Sequence, residues 1–120
     1  RTNTPLQALT LLNDQAYVEM ALGFAVSILE KTQGKSDKDR ITHAVRRALS
    51  RDPSAREIKV LLSLLNGQSE RLKSDSSIAK SLLSQAPQIE VSEKLDSDEV
   101  AAWFFVANAL LNLDETITKG

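Results

Sequence analysis

Apolar residues recur along this chain at intervals of three and four, the spacing that gathers them on one side of an α-helix. No stretch alternates in the way a half-buried strand would. Leu6, Leu9, Leu11 and Leu12 form the first such run. Thr4 can cap free N–H groups ahead of it, Pro5 suits a first helical position, and Gln7 can reach back. The spacing predicts a short helix to about Leu12, with Asn13-Asp14 as a kink or a new cap. A second helix follows from about Gln15 to Lys31. Tyr17, Met20, Ala21, Phe24 and Ile28 share one of its faces, and Val18, Leu22, Ala25 and Leu29 another. Its polar stripe is only Gln15, Glu19, Gly23, Ser27 and Glu30, so it is expected to pack on two sides and to be the central helix. Gly34 suits a left-handed cap at its end.

Ser36-Asp37 opens a third helix, about Lys38 to Arg51. Its apolar stripe is Ile41, Ala44, Val45, Ala48 and Leu49, and its other face is basic: Arg40, His43, Arg46, Arg47, Arg51. Asp52-Pro53 breaks the chain. Ser54-x-x-Glu57 is a capping box opening a helix through about Lys73, with Ile58, Leu61, Leu62 and Leu65 inward and Asn66-Gly67 as a point of bending. Ile78, Ala79, Leu82 and Leu83 predict a short fifth helix after the polar linker 74–77. Residues 86–94, with Pro87, read as loop. Asp96-x-x-Glu99 is a further capping box, before a last helix from about Ser97 to Leu113. Val100, Ala101, Trp103, Phe104, Val106, Ala107, Leu110 and Leu111 make that helix apolar nearly all round. Leu9 and Leu12 are expected against its Trp103, Ala107, Leu110 and Leu111. The fold class is all-α, an irregular bundle of about six helices in one domain spanning 1–120.

Composition narrows this picture. One hundred and twenty residues are enough for a single modest core. Aromatics are 4%, so that core must rest on Leu, Ala, Ile and Val. A formal net charge of −1 supplies no global field toward nucleic acid or membrane. The absence of Cys removes disulfides, thiolate catalysis and Cys-based metal sites. No apolar run reaches the roughly 18 residues that span a bilayer. Arg1 opens in the middle of a motif, and the chain is read as a fragment of a longer parent.

The candidate chemistry is sparse. His43 is the one His, on a basic helix face, and is expected to be solvated. Met20 and His43 could in principle ligate a haem iron, but Met20 stands in an apolar stripe and packing is the simpler role. The acidic clusters are Asp14/Glu19, Asp96/Asp98/Glu99 and Asp114/Glu115. Paired carboxylates can hydrolyse glycosides, yet the middle cluster is also what a helix N-terminus favours. Residues 41–65 have a helix-turn-helix outline, with Arg40, Arg46, Arg47 and Arg51 as phosphate-binding candidates. Pairing of those arginines with Asp52, Glu57 or other parts of the parent is the simpler expectation. Asn108 and Asn112, one turn apart, are expected to form a polar lock with Asn13 and the backbone of the first helical hairpin. No residue is assigned a catalytic, cofactor-binding or metal role.

Three stretches resemble a known family. They are R-T-N-T-P-L-Q-A-L-T-L-L-N-D at 1–14, R-x-L-S-R-x-P-S-x-x-E at 47–57, and A-W-x-x-x-A-x-A-L-L-N-L-D-E at 102–115. Together they are similar to the C-terminal part of a planctomycete-specific domain of unknown function, found in secreted proteins that often carry a cytochrome-c-like domain. Gln15 stands where that family usually has Pro. The resemblance implies an extracytoplasmic, cytochrome-associated parent whose other domains are the partners. On this reading the chain is a helical structural and interaction module. Two alternatives stay open: completion of a carboxylate active site on polysaccharide, with Asp14, Asp114 or Glu115, and nucleic-acid binding through the Arg40–Arg51 face.

Overall fold

The computed structural model describes residues 14–113, without the Asp14 side chain. Those residues form five helices and no strand: α1 (Asp14–Lys31), α2 (Asp37–Leu49), α3 (Ala55–Ser74), α4 (Ser77–Ser84) and α5 (Ser97–Asn112). Five helices stand where about six were expected. The expected opening helix through Leu12, and its contact with the last helix, lie outside the described residues.

The central helix is α5, not α1. It packs against all four of the others. Val100, Ala101, Ala102, Trp103, Phe104, Val106, Ala107 and Leu110 are all buried, so it has no wide polar side to turn to solvent. Alanines distributed around it let neighbouring backbones come close. α1 packs on α5 and α2, burying Ala21, Leu22, Ala25, Val26, Ile28 and Leu29. The loop after α4 covers another side of it. Ile89 Cδ1 lies 3.7 Å from where a Cβ on Gly23 would stand. Met20, expected in the core, is 45% exposed. At about 100° per residue it points opposite Leu29, nine residues on. The core line through Leu22, Ala25 and Leu29 leaves it outside.

The caps explain the boundaries. Ser36 Oγ accepts from the Asp39 N–H at 3.1 Å and starts α2. Ser50 takes a left-handed conformation (φ 59°) and donates its N–H to Arg46 O at 3.0 Å, so α2 stops at Leu49 and not at Arg51. The Ser54 box is complete. Ser54 Oγ accepts from the Glu57 N–H at 3.1 Å, and the Ser54 N–H donates to Glu57 Oε1 at 2.8 Å. α3 then runs unbroken through Asn66-Gly67. The box at α5 forms in one direction only. Asp96 accepts from the Glu99 N–H at 3.3 Å, while the Glu99 carboxylate accepts from Arg40 at 3.0 Å.

Arg51 also reaches Glu57 as a fork, with both N–H···O distances 2.8 Å. That fork, with the Ser54 N–H, pulls the Glu57 carboxyl from its ordinary 4.5 down to about 2. A carboxyl held lower in the fold than in the open chain stabilises the fold once it is ionised. Its contribution is therefore complete above pH 4.5 and is lost as pH falls toward about 2. The two side chains are 32% and 41% exposed, so solvent screens the pair. Glu57→Gln is expected to cost about 1 kcal/mol at neutral pH, as loss of a cap does. It should also flatten the decline in urea midpoint between pH 4.5 and 2. An unchanged acid limb would show that the fork adds nothing.

Candidate functional site

The Arg-rich face was one sequence candidate, and three of its arginines, Arg40, Arg46 and Arg51, are paired with carboxylates. Arg46 Nε donates to Asp52 Oδ1, and Arg51 holds Glu57. These are the partners expected from the sequence, because each pair is only six residues apart and spans the α2–α3 turn. Arg40 and Arg47 go elsewhere. Arg40 is 13% exposed; it donates to Thr32 O at 3.2 Å and to Glu99 Oε2 at 3.0 Å, tying the end of α1 to the starts of α2 and α5. Arg47 donates to Ser27 Oγ at 2.7 Å and lies over the Phe24 ring, 5.4 Å from its centroid.

The acids of the middle cluster line a cleft. Asp96, which caps α5, and Asp98 and Glu99 in its first turn meet Asp37 from α2, with Ser69 and Lys73 on the α3 wall and Leu65, Ala102 and Trp103 also lining a space of about 280 Å³. Two helix starts meet here, and each favours carboxylates near its unpaired N–H groups. Of the acids weighed for hydrolysis, the Asp14 side chain, Asp114 and Glu115 lie outside the described residues. Glu19 accepts from Gln15 Nε2 at 3.4 Å on the surface of α1. Among the described residues no three His or acidic side chains are grouped to hold a metal ion.

The polar lock uses a residue that sequence reasoning placed in an apolar stripe. The Tyr17 hydroxyl donates to Asn108 Oδ1 at 2.5 Å, and it lies 3.3 Å from Asn112 Oδ1. One phenol proton serves one acceptor. Turning the Asn112 amide over would let its NH₂ donate to the phenol oxygen, completing a three-membered network. Burial raises the Tyr17 pKa above its ordinary value. Asn13, the expected partner, lies outside the described residues. The legible signal was the phenol itself, since a buried Tyr hydroxyl needs a partner.

His43 is half-buried, where solvation was expected, and its Nε2 is buried with no hydrogen-bond partner among the described residues. Burial, then Arg47, Lys31 and Arg46, push its pKa below the ordinary 6.5. It lines a pocket of about 350 Å³ with Lys31, Thr32, Lys35, Asp39, Thr42 and Arg46. Met20 stands eleven residues before Lys31 on α1, about 16 Å along the helix. The structure does not bring Met20 and His43 to one iron.

One further surface had no counterpart in the sequence reading. Val45 and Leu49 of α2, Val60 and Leu61 of α3, and Leu110 and Leu113 around the end of α5 line an apolar groove of about 160 Å³. Val60 is 57% exposed and Leu113 53%. Arg56 and Glu57 also line the groove. The expected stripe of α3 was Ile58, Leu61, Leu62 and Leu65, and Val60 fell outside it.

A family model described as PSD1, Protein of unknown function (DUF1553), matches residues 1–65. No curated protein matches the chain, and no solved structure does.

Proposed function

We propose, from the premise that the chain belongs to the PSD1 family of proteins of unknown function (DUF1553), that it serves as a helical structural and interaction module. It docks another domain of the same parent. The observation that carries this reading is the apolar groove of Val45, Leu49, Val60, Leu61, Leu110 and Leu113. Two large aliphatic side chains more than half exposed on one groove are what a docking surface presents, and Arg56 and Glu57 offer both signs of charge beside them. The parent is taken as extracytoplasmic and cytochrome-associated. That part rests on the sequence resemblance alone, and fractionation of cells producing the parent is its check.

The nucleic-acid reading has less support, because Glu99, Asp52 and Glu57 already offset the charges of Arg40, Arg46 and Arg51. The test of the docking reading is direct. The chain is mixed with the remainder of its parent, and association is measured by calorimetry. Wild type is expected to bind. Val60→Asp, at an exposed position that should leave the fold intact, is expected to weaken binding at least about tenfold, as loss of a central apolar contact does. A chain that is folded by circular dichroism yet shows no association would overturn the reading.

A further inference from the structure

The pocket beside His43 lies on a different part of α2 from the apolar groove, and the docking reading leaves it unused. Its wall carries three cations, Lys31, Lys35 and Arg46, against one carboxylate, Asp39. Three arginines of this region are matched, Arg40 by Glu99, Arg46 by Asp52 and Arg51 by Glu57, while Arg47 lies over the Phe24 ring. Lys31 and Lys35 are not matched. Among the described residues no carboxylate stands within ion-pairing distance of either. The pocket is therefore net positive even with Asp39 and Asp52 counted, in a chain whose formal charge is −1. Thr32 Oγ1 donates to Ile28 O at 2.6 Å and Thr42 Oγ1 to Lys38 O at 3.0 Å, so the hydroxyl protons are committed. What remains available to a ligand is positive charge: two ammonium groups and the outer nitrogens of Arg46.

We propose that this pocket is a binding site for a tetrahedral oxyanion, a phosphate or sulfate group, held by Lys31, Lys35 and Arg46 beside the His43 ring. A space of about 350 Å³ accommodates such a group with part of the molecule that bears it. The field at His43 is consistent with this. Arg47 and Arg46 from its own helix and Lys31 from the end of α1 all press its pKa downward, with burial the larger cause. Asp39, one turn earlier, is the acid lining the same pocket. An anion between the cations and the ring would oppose that field. Binding and protonation of His43 must then favour each other reciprocally. The ring need not touch the anion, since the coupling is electrostatic across the pocket.

The chain contains one His, so the imidazole resonances belong to His43 without assignment work. The His43 titration is followed by NMR in chloride, in inorganic phosphate and in sulfate, all at one ionic strength to equalise general screening. Sulfate keeps its double charge throughout. The expected result is a saturable rise of the His43 pKa with phosphate or sulfate and not with chloride. Sulfate should bind at least about threefold more tightly below the imidazole titration than above it. A response to phosphate alone assigns a phosphoryl ligand, and equal responses assign any tetrahedral dianion. The double variant Lys31→Gln, Lys35→Gln lies at exposed positions. It should abolish the oxyanion response and raise the His43 pKa in chloride, with circular dichroism unchanged. Identical titrations in all three salts would overturn the proposal. So would an oxyanion response as large in the double variant as in wild type, which would mark general ion accumulation.

Discussion

Leu110→Ala will destabilise the fold by about 2–5 kcal/mol, toward the lower end of that range. Leu110 is 1% exposed on α5, the helix that every other described helix touches. Removing its branched end loses the transfer free energy of the missing carbons and leaves a void. Leu110 also lines the apolar groove with Val45, Leu49 and Leu61, so the void joins a space already open to solvent. A cavity that opens outward can be partly filled by shifts of α2 and α3, and this moderates the cost. Leu113, three residues on and 53% exposed, is the internal comparison. Leu113→Ala should fall within about half a kcal/mol of wild type. Urea unfolding followed by Trp103 fluorescence measures both. The slope should be unchanged and only the midpoint should move for Leu110→Ala. A loss below half a kcal/mol would mean that the α5 C-terminus is not part of this core.

Trp103→Ala will cost about 3–5 kcal/mol, a large share of the 5–15 kcal/mol that a domain of this size possesses. Trp103 is the one Trp, 1% exposed, and heads the largest fully buried side chains. With Leu65 and Ala102 it lines the cleft bearing Asp96, Asp98, Glu99 and Asp37. Its loss removes apolar surface beside the first turn of α5. The variant must be followed by far-ultraviolet circular dichroism, because it lacks the fluorophore. Trp103→Phe should recover part of the loss by refilling part of the volume. If Trp103→Ala and Trp103→Phe were equally destabilised, the indole volume would not be the cause.

Local chemistry was legible where both partners lie within one or two helical turns. The Ser36 cap, the complete Ser54–Glu57 box and the pairing of Arg46 with Asp52 and Arg51 with Glu57 all belong to this class. Position around a helix was less legible. Met20 and Phe24 shared a predicted face, yet Met20 is exposed while Phe24 packs against the core and under Arg47. A face is defined by what covers it, and spacing carries no record of the cover. The same gap misplaced His43, whose burial depends on how α2 meets the end of α1. It also hid the groove at Val60 and Leu113, which exists only because three helices leave a space between them.

By itself, the sequence determined the helices, most of their starts and stops, and the all-α class. Those follow from 3.6-residue periodicity and from caps whose partners are three or four residues away. It also determined membership of a family that brings no assigned chemistry. Only the tertiary structure decided that α5 is the centre, because centrality depends on which helices choose to share a surface. Only it joined Arg40 to Glu99 across 59 positions and Tyr17 to Asn108 across 91. Only it gathered Lys31, Lys35 and Arg46 around one pocket with His43, with no ion pair to either lysine among the described residues. Such meetings are governed by the packing of whole helices, where the free energy is that of a shared core and no local pattern records the neighbour.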